Sequence, residues 1–392
     1  MAFTWNPTGA PHASSRTDDI WFFNEDHGWA GNSNGQALYT ADGGNTWAIM
    51  HVFPARTYLR CVAFSSPTHG WIGALSGPYR LYRTTDGGTT WTPIINLPST
   101  PNAICGLWVV SDTIVYASGT NYPDRPPAAI KSTDGGSTWT HFDMRPYASL
   151  LVDIYFRDEL HGWVVGGSGG PTRPKVKPVV LYTEDGGQTW ADQLAGQIDF
   201  PYGEWGWKIQ FLQDGTGFVS LENFDEGAIL KSVDGGISWT RLPVNDAQRN
   251  ANLEGIGFID SNHGWVGGWG DRQFQGGYSS ETSNAGNTWR NANHVGKFIN
   301  RFRFVGDPVR VGYASGDTVY KYAESKQPAL IQPLRLAGPP RVVVNEHAEV
   351  VTKSLGVLLD VPKGTQHLSV NLWDRFGAHV ATLVDESAPI SG

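Results

Sequence analysis

Two cysteines in 392 residues are too few to define a disulfide framework, so cross-links do not organise this fold. Charge is also scarce: charged side chains are 17% of the chain and sum to −8. No basic tract offsets that balance, which argues against a general binder of nucleic acid or of anionic membrane surfaces. No apolar run approaches the roughly 18 residues that a membrane-spanning helix needs, so no membrane insertion is expected. The opening residues, Met-Ala-Phe-Thr-Trp, have neither the basic nor the apolar region of a secretory leader. The protein is therefore expected to be cytoplasmic or to have lost a leader, and the C-terminal segment described below favours the second. A Gly-rich dinucleotide fingerprint, a phosphate-binding loop, a Cys-x-x-Cys pair and a His-Glu-x-x-His motif are all absent, so neither a cofactor nor a metal is expected.

Glycine (48) and tryptophan (17), by contrast, are abundant, a composition that suits many short strands joined by tight turns. A chain of this length does not fold around one ordinary core unless that core is built from repeats. A repeat is present. The pattern (Ser/Thr)-x-Asp-x-Gly-x-(Thr/Ser)-Trp occurs at 40–47, 84–91, 132–139, 183–190 and 232–239, and a sixth copy at 282–289 carries Asn284 in place of Asp. Its tryptophans are 44, 48, 51, 49 and 50 residues apart, the spacing of four-stranded blades. Asp42 is placed to accept hydrogen bonds from its own turn, and Gly43 and Gly44 supply the positive φ that the turn requires. These aspartates are read as turn formers, neither catalytic nor metal-binding. Upstream of four boxes stands His-Gly-Trp, at 27–29, 69–71, 161–163 and 263–265. One such histidine per blade points to turn residues and away from a shared metal site.

One unit reads as strands over 20–23, 29–32 and 37–40, the box, then a fourth strand over 46–51. The seventh copy, 302–323, lacks a box and a fourth strand, while Thr4-Trp5 at the other end of the chain supplies the missing pattern. An all-β, seven-bladed propeller of four-stranded blades follows, with the N-terminal strand closing the last blade and removing exposed edges.

The repeat resembles the Asp-box (BNR) propellers over residues 1–325. The His-Gly-Trp and Asp-box rhythm over seven blades is similar to the photosystem II stability/assembly-factor family and its bacterial relatives. After a Pro-rich linker at 326–340 comes a short β segment at 341–392. Within it, Leu-Ser-Val-Asn-Leu-Trp-Asp-Arg-Phe-Gly-Ala-His-Val-Ala-Thr-Leu (368–383) is similar to FlgD-like immunoglobulin-type modules. That likeness implies an extracellular, cell-surface or periplasmic location.

Ligands are expected on the face formed by the loops after the fourth strand and between the second and third strands. That face should gather Arg56, Arg60, Arg145, Tyr202, Glu204, Trp205, Trp207, Arg249, Glu254, Trp269, Asp271, Arg272 and Arg301. Trp205, Trp207 and Trp269 fill no repeat slot, and an exposed indole in such a loop suits stacking on a ligand. The innermost strands, aligned on Phe22, Phe64, Trp108, Phe156, Phe211, Phe258 and Phe304, carry three positions earlier Asp19, Cys61, Cys105, Asp153, Lys208, Gly255 and Arg301. This set is either a ligand-positioning group or a solvated plug of ion pairs, and it places the two cysteines near each other, free or bonded.

The family likeness implies a noncatalytic module whose arginine-rich patch receives an acidic or C-terminal peptide. Arg56, Arg60, Arg145, Arg249 and Arg301 are the candidates, because guanidinium forks suit carboxylates. An acidic glycan is the other candidate ligand, and the ring is expected to be monomeric. The alternative is a sialidase-like glycan-active enzyme that uses arginines with Tyr202, Glu204, Glu254 and Asp271. The sialidase Arg-Ile-Pro signature is absent, however, and the blade count is seven where sialidases have six. Catalytic residues are left unassigned.

Overall fold

The computed structural model describes residues 3–197, 199–246, 251–271, 273–324, 368–373 and 379–386. The chain forms two compact units, Ala2–Glu324 and Ser325–Gly392, the latter grouped with Met1. In the first unit, seven four-stranded antiparallel sheets follow one another in chain order. In blades one to six the strands are sequential. Blade one, for example, consists of Thr17–Phe22, Gly28–Asn32, Gln36–Thr40 and Ala48–Val52.

Blade seven is built from both ends of the unit. Arg301–Val305, Val311–Ser315 and Val319–Glu324 are completed by Phe3–Pro7, which pairs Phe3 with Glu324 and Trp5 with Tyr322. Immediately after that strand, Thr8 accepts a hydrogen bond from the Trp47 indole of blade one at 3.1 Å. The N-terminal segment therefore joins the last blade to the first.

Each Asp-box is a self-satisfied turn. Asp42 Oδ1 accepts from the Thr46 backbone and from the Thr40 hydroxyl, both at 2.9 Å, and the Thr46 hydroxyl donates to Oδ2 at 2.7 Å. The backbone hydrogen bond from Thr46 leads the contacts that hold Asp42 below the usual carboxylate range. Asn284 reproduces the first two contacts, and its amide reverses the third by donating to Thr288 at 2.8 Å. The repeated histidines also have local partners: His27 meets Tyr39, His161 meets Asp158 and His263 meets Glu281. Among the described residues no group of three or more His, Cys, Asp or Glu is placed to hold a metal, and no helix is long and apolar enough to cross a membrane.

Neighbouring blades are stapled by aromatic pairs. The ring that opens the second strand of one blade lies against the last apolar residue of the next blade's first strand. Trp29 stacks on Phe64 with centroids 4.0 Å apart, Tyr116 on Phe156 at 3.5 Å, Phe218 on Phe258 at 3.6 Å and Tyr313 on Phe22 at 3.4 Å. Trp71 of blade two instead shares its core with Val109 of blade three. The staple position of blade three is therefore Val109, and the expected alignment on Trp108 is one residue out.

In the second unit, Leu368–Trp373 and His379–Glu386 form an antiparallel hairpin. The expected linker at 326–340 and the remainder of the C-terminal segment lie outside the described residues.

Candidate functional site: a pocket at the mouth of the axis

The first strand of each blade is innermost, and counting back from the staple position divides the axis into tiers. One position back, Trp108 meets Trp21 at 6.1 Å and Tyr155 at 4.6 Å, with the Arg303 guanidinium 4.8 Å from the Trp21 ring. Three positions back lies a layer of ion pairs. Arg301 holds Asp19 through Nε at 3.0 Å and Asp153 through both Nη atoms at 2.9 and 2.8 Å. Lys208 stands 3.9 Å from Asp153, with no hydrogen-bond partner, and burial pulls its ammonium down to about 8. These four side chains are buried. The set does form ion pairs, but the expectation that such a plug is solvated is corrected: the layer is buried, because the inner strands enclose it. With the alignment corrected, Gly106 takes the blade-three place in this layer and Cys105 moves one tier outward. Cys61 and Cys105 thus sit in adjacent tiers, both buried and free, with Cys61 Sγ 3.9 Å from the carbonyl oxygen of Ile104.

The next position outward is Asp18, Arg60, Cys105, Val152, Trp207, Glu254 and Asn300. Strict alternation would turn these residues away from the axis. In five blades, however, the register slips by one residue at this point, so that Asp18, Arg60, Val152, Glu254 and one of the Trp207–Lys208 pair are the extra residues of β-bulges. A bulge sets two residues against one and re-aims the side chain. The repeated bulge brings a second tier to the axis, and this tier floors a cavity of about 270 Å³.

Arg16, Tyr58, Arg60, Trp207, Glu222, Glu254 and Trp269 line the cavity, together with Asn121, Tyr122, Arg173 and Phe274 from the surrounding loops. Arg16 donates to Asp18 Oδ1 through Nε at 3.1 Å and Nη2 at 3.0 Å, and through Nη1 to Glu254. Glu254 also accepts from the Trp269 indole at 3.1 Å, and the Arg16 guanidinium lies 4.4 Å from the centre of that ring. Arg60 donates one Nη1 hydrogen bond to Asp18 and stacks 4.8 Å over Trp207, whose indole donates to Asn300 at 2.8 Å.

Not every group is matched. Arg60 Nε and Nη2 and Glu222 Oε2 are buried without hydrogen-bond partners. Burial opposes the charge on Arg60, but Asp18 and Glu254 more than offset it and raise its pKa. Burial and then the charge of Glu254 push the Glu222 carboxyl up to about 8, so it is protonated at neutral pH. Half-buried Arg173 lies 5.4 Å over the Trp205 ring, and its side chain makes no hydrogen bond or ion pair with a described residue. With Glu222 neutral, three guanidinium groups face two carboxylates, Asp18 and Glu254. The pocket therefore has an excess of positive charge and unused N–H donors.

The residues expected at the site divide into those the cavity gathers and those it does not. Arg60, Trp207, Glu254 and Trp269 line it. Tyr202 and Trp205 line a neighbouring cavity. The expectation that Trp205 and Trp207 are exposed is corrected: they are 0% and 3% exposed, because they start an inner strand and pack with Leu150, Val152 and Val176. Glu204 is buried in a fork with Arg241, at 3.0 and 2.8 Å. Asp271 accepts from the backbone of Gln273 and Gln275 and shapes its own loop. Arg301 is locked in the ion-pair layer. Arg145 is exposed and paired with Asp143 at 2.6 Å, and Arg56 is exposed in a turn at φ 68°. Arg249 and Arg272 lie outside the described residues. Of the described members of the expected arginine patch, Arg56, Arg60, Arg145 and Arg301, only Arg60 lines the cavity. The arginines that line it are Arg16, Arg60 and Arg173. Arg16 and Asp18 carried no sequence signal: the bulge that recruits Asp18 is invisible to strand alternation, and Arg16 precedes the strand.

Residues 2–141, the closing strand and the first three blades, match the family model of the photosynthesis system II assembly factor YCF48. A structure of YCF48 bound to a D1 peptide is 19% identical, with 81% of this chain and 96% of that one covered at a TM-score of 0.59. Over residues 2–141 this chain is similar to the photosystem II assembly factors, and it shares their propeller fold. YCF48 from Cyanidioschyzon merolae is similar at 18% identity, covering 82% and 98% of the two chains with a TM-score of 0.58. The same ring recurs in a GH74 xyloglucanase from Xanthomonas campestris, at 12% identity over 82% of this chain and 53% of that chain, TM-score 0.58. Identities this low establish the shared fold. No curated protein matches the sequence.

Proposed function

We propose that the YCF48-like ring is a noncatalytic binding module that takes a carboxylate-bearing peptide in the axial pocket. One observation carries the proposal: Arg60 brings two buried N–H groups without acceptors to an aromatic-walled cavity that Arg173 also lines, its side chain not engaged by any described residue. A carboxylate supplies the missing acceptors, and charge-assisted hydrogen bonds are the strong ones. Protonated Glu222 adds a donor where an ionised glutamate would repel the ligand. The YCF48 structure with a D1 peptide supports a peptide as the ligand. A location outside the cytoplasm belongs to the same proposal and rests on the likeness of the C-terminal segment to FlgD-like modules. The test is to probe the full chain against an array of peptide C-termini and an array of acidic glycans. Capture by peptides with free carboxylates is expected, and capture by glycans alone would overturn the proposal.

A second function has one observation in its favour. Glu222 and Glu254 line the same cavity in contrasting states, Glu222 protonated by burial and Glu254 paired with Arg16. Glycosidases use a carboxyl pair separated in this way. Tyr58 does not suit the role of a sialidase's tyrosine nucleophile, however: burial and the charge of Asp18 push it up to about 12, the wrong direction for a phenolate, and the expected Tyr202 lines the neighbouring cavity. Release of reducing sugar from an oligosaccharide panel, abolished in Glu222→Gln, would establish this alternative.

A further inference from the structure

A second cavity of about 420 Å³ adjoins the first and shares Arg173 and Phe274 with it as walls. That volume lies within the range of small-ligand sites, about 300–1,000 Å³. The second strand of blade five, Gly217–Asn223, divides its side chains between the two cavities. Successive residues of a strand face opposite ways, so Glu222 lines the axial pocket and Asn223 the second cavity. Tyr202, Trp205, Phe224 and Phe274 give the second cavity aromatic surface. Tyr202 and Phe274 remain 69% and 49% exposed although large and aromatic. Trp269 and Phe224 flank Phe274 at 6.2 and 5.9 Å with interplanar angles of 87° and 81°, so neither is stacked parallel on its face.

Between these rings the lining is polar, and it holds donors and acceptors together. Asn223 Oδ1 accepts from the Asp225 backbone at 2.9 Å, while its amide Nδ2 has no acceptor among the described residues. The buried Trp205 indole N–H also lacks one. Asp225 adds a carboxylate, which offers about four lone-pair sites. Neither sign of charge is in excess. Arg173 and Asp225 bring one of each, and Lys177, whose ammonium lies 4.7 Å over the Tyr202 ring, is paired with Asp199 at 2.7 Å. Such a lining discriminates among ligand classes. A carboxylate needs donors alone, an ammonium needs acceptors alone, and an apolar side chain needs neither. A pyranose needs all of these features: its C–H faces pack on aromatic rings, and each of its hydroxyls both donates and accepts.

We infer that the second cavity is a binding site for a neutral pyranose sugar, packed on Phe274 and hydrogen-bonded through its hydroxyls to the Asn223 amide and the Asp225 carboxylate. The axial pocket keeps the ligand proposed above, and neither assignment depends on the other.

The experiment is isothermal titration of the full chain with cellohexaose, xylohexaose, mannohexaose and N-acetylchitohexaose, and with hexagalacturonate as the charged comparison. At least one neutral hexasaccharide is expected to bind. Phe274→Ala should weaken that binding about tenfold, since it removes the apolar surface on which the sugar packs. Asn223→Asp keeps the oxygen that holds the Asp225 backbone and replaces only the amide donor, and it should weaken binding about five- to tenfold. Tyr202→Ala, at the more exposed of the two aromatic positions, serves as a third variant should either of these perturb the fold. Unchanged affinity in every folded variant would place the sugar elsewhere and overturn the inference. Absence of binding by all four neutral hexasaccharides, or tighter binding of hexagalacturonate than of any of them, would overturn it as well. Mutually exclusive binding of the hexasaccharide and the free acid Ac-Gly-Gly-Gly-Gly-Phe-Ala would show one shared site and overturn the separate assignment.

Discussion

Closure of the ring can be tested through Trp5. This side chain is 5% exposed and packs against Trp265 at 5.5 Å, Phe302 at 5.6 Å and Tyr322 at 5.1 Å. It is the core contribution of a strand that reaches blade seven from the opposite end of the chain. Truncating a buried aromatic to alanine costs about 3–5 kcal/mol, because transfer and cavity terms add. For a domain of this size each kcal/mol lowers Tm by about 2 °C, so Trp5→Ala should lower it by roughly 6–10 °C. Deleting residues 1–9 should cost more, since it removes the whole strand and also the Thr8–Trp47 bond to blade one. It would also leave the edge of Val319–Glu324 unpaired and prone to association. Differential scanning calorimetry with light scattering measures both effects. A deletion variant that unfolds within about 2 °C of the wild type and stays monomeric would refute the closure, because the strand would then carry less than a single kcal/mol.

Other consequences are independent of closure. Asp42→Ala should cost about 1–2 kcal/mol in chemical denaturation, whereas Asp42→Asn should cost much less, since Asn284 already serves the same turn. Arg301→Met should be severely destabilising, by about 3–5 kcal/mol, because it strands buried Asp19 and Asp153 together; wild-type stability would contradict the axial ion-pair layer. Glu222 has a folded pKa raised to about 8, so the folded state holds its proton more tightly than the unfolded one. Its contribution is full below the ordinary glutamate range and is lost as pH rises through 8. The denaturation midpoint should therefore fall across that interval in the wild type and be flatter in Glu222→Gln, and superimposable profiles would contradict the assignment. Both cysteines should be unreactive towards a thiol reagent in the native protein and titrate fully after denaturation without reductant; absence of thiols in the denatured, unreduced chain would show a bond.

The ring was legible because its information is local. Each Asp-box satisfies its own turn within a few residues, so the motif marks blade boundaries without any tertiary knowledge, and the unpaired Thr4-Trp5 could be matched to the blade that lacked it. The loop face was legible for a related reason: strand alternation and blade order decide which turns share an end. What failed was the step from face to pocket. Arg60 and Glu254 were expected on the face, but their role at the axis depends on a β-bulge, and a one-residue slip is invisible to a period of two. Blade three misled through composition: Trp108 looks like the staple residue, while the less conspicuous Val109 packs against Trp71. Burial of Trp205 and Trp207 was missed because both fall at the start of an inner strand, which the Gly- and Tyr-rich approach reads as loop. The pairing of Arg145 with Asp143 and of Glu204 with Arg241 uses up groups that a sequence can only count as available.

The central claim is that Arg173, free of acceptors at the junction of the two cavities, receives a carboxylate. The Arg173 side chain is half-buried and makes no hydrogen bond or ion pair with a described residue, so Arg173→Gln should fold normally. The deciding measurement is the affinity of Ac-Gly-Gly-Gly-Gly-Phe-Ala, as the free acid, for the wild type and for Arg173→Gln under identical salt and pH. A lost charge-assisted hydrogen bond is worth about 1.5–3 kcal/mol, which predicts roughly ten- to hundredfold weaker binding in the variant. Equal affinity in the two proteins would contradict the account.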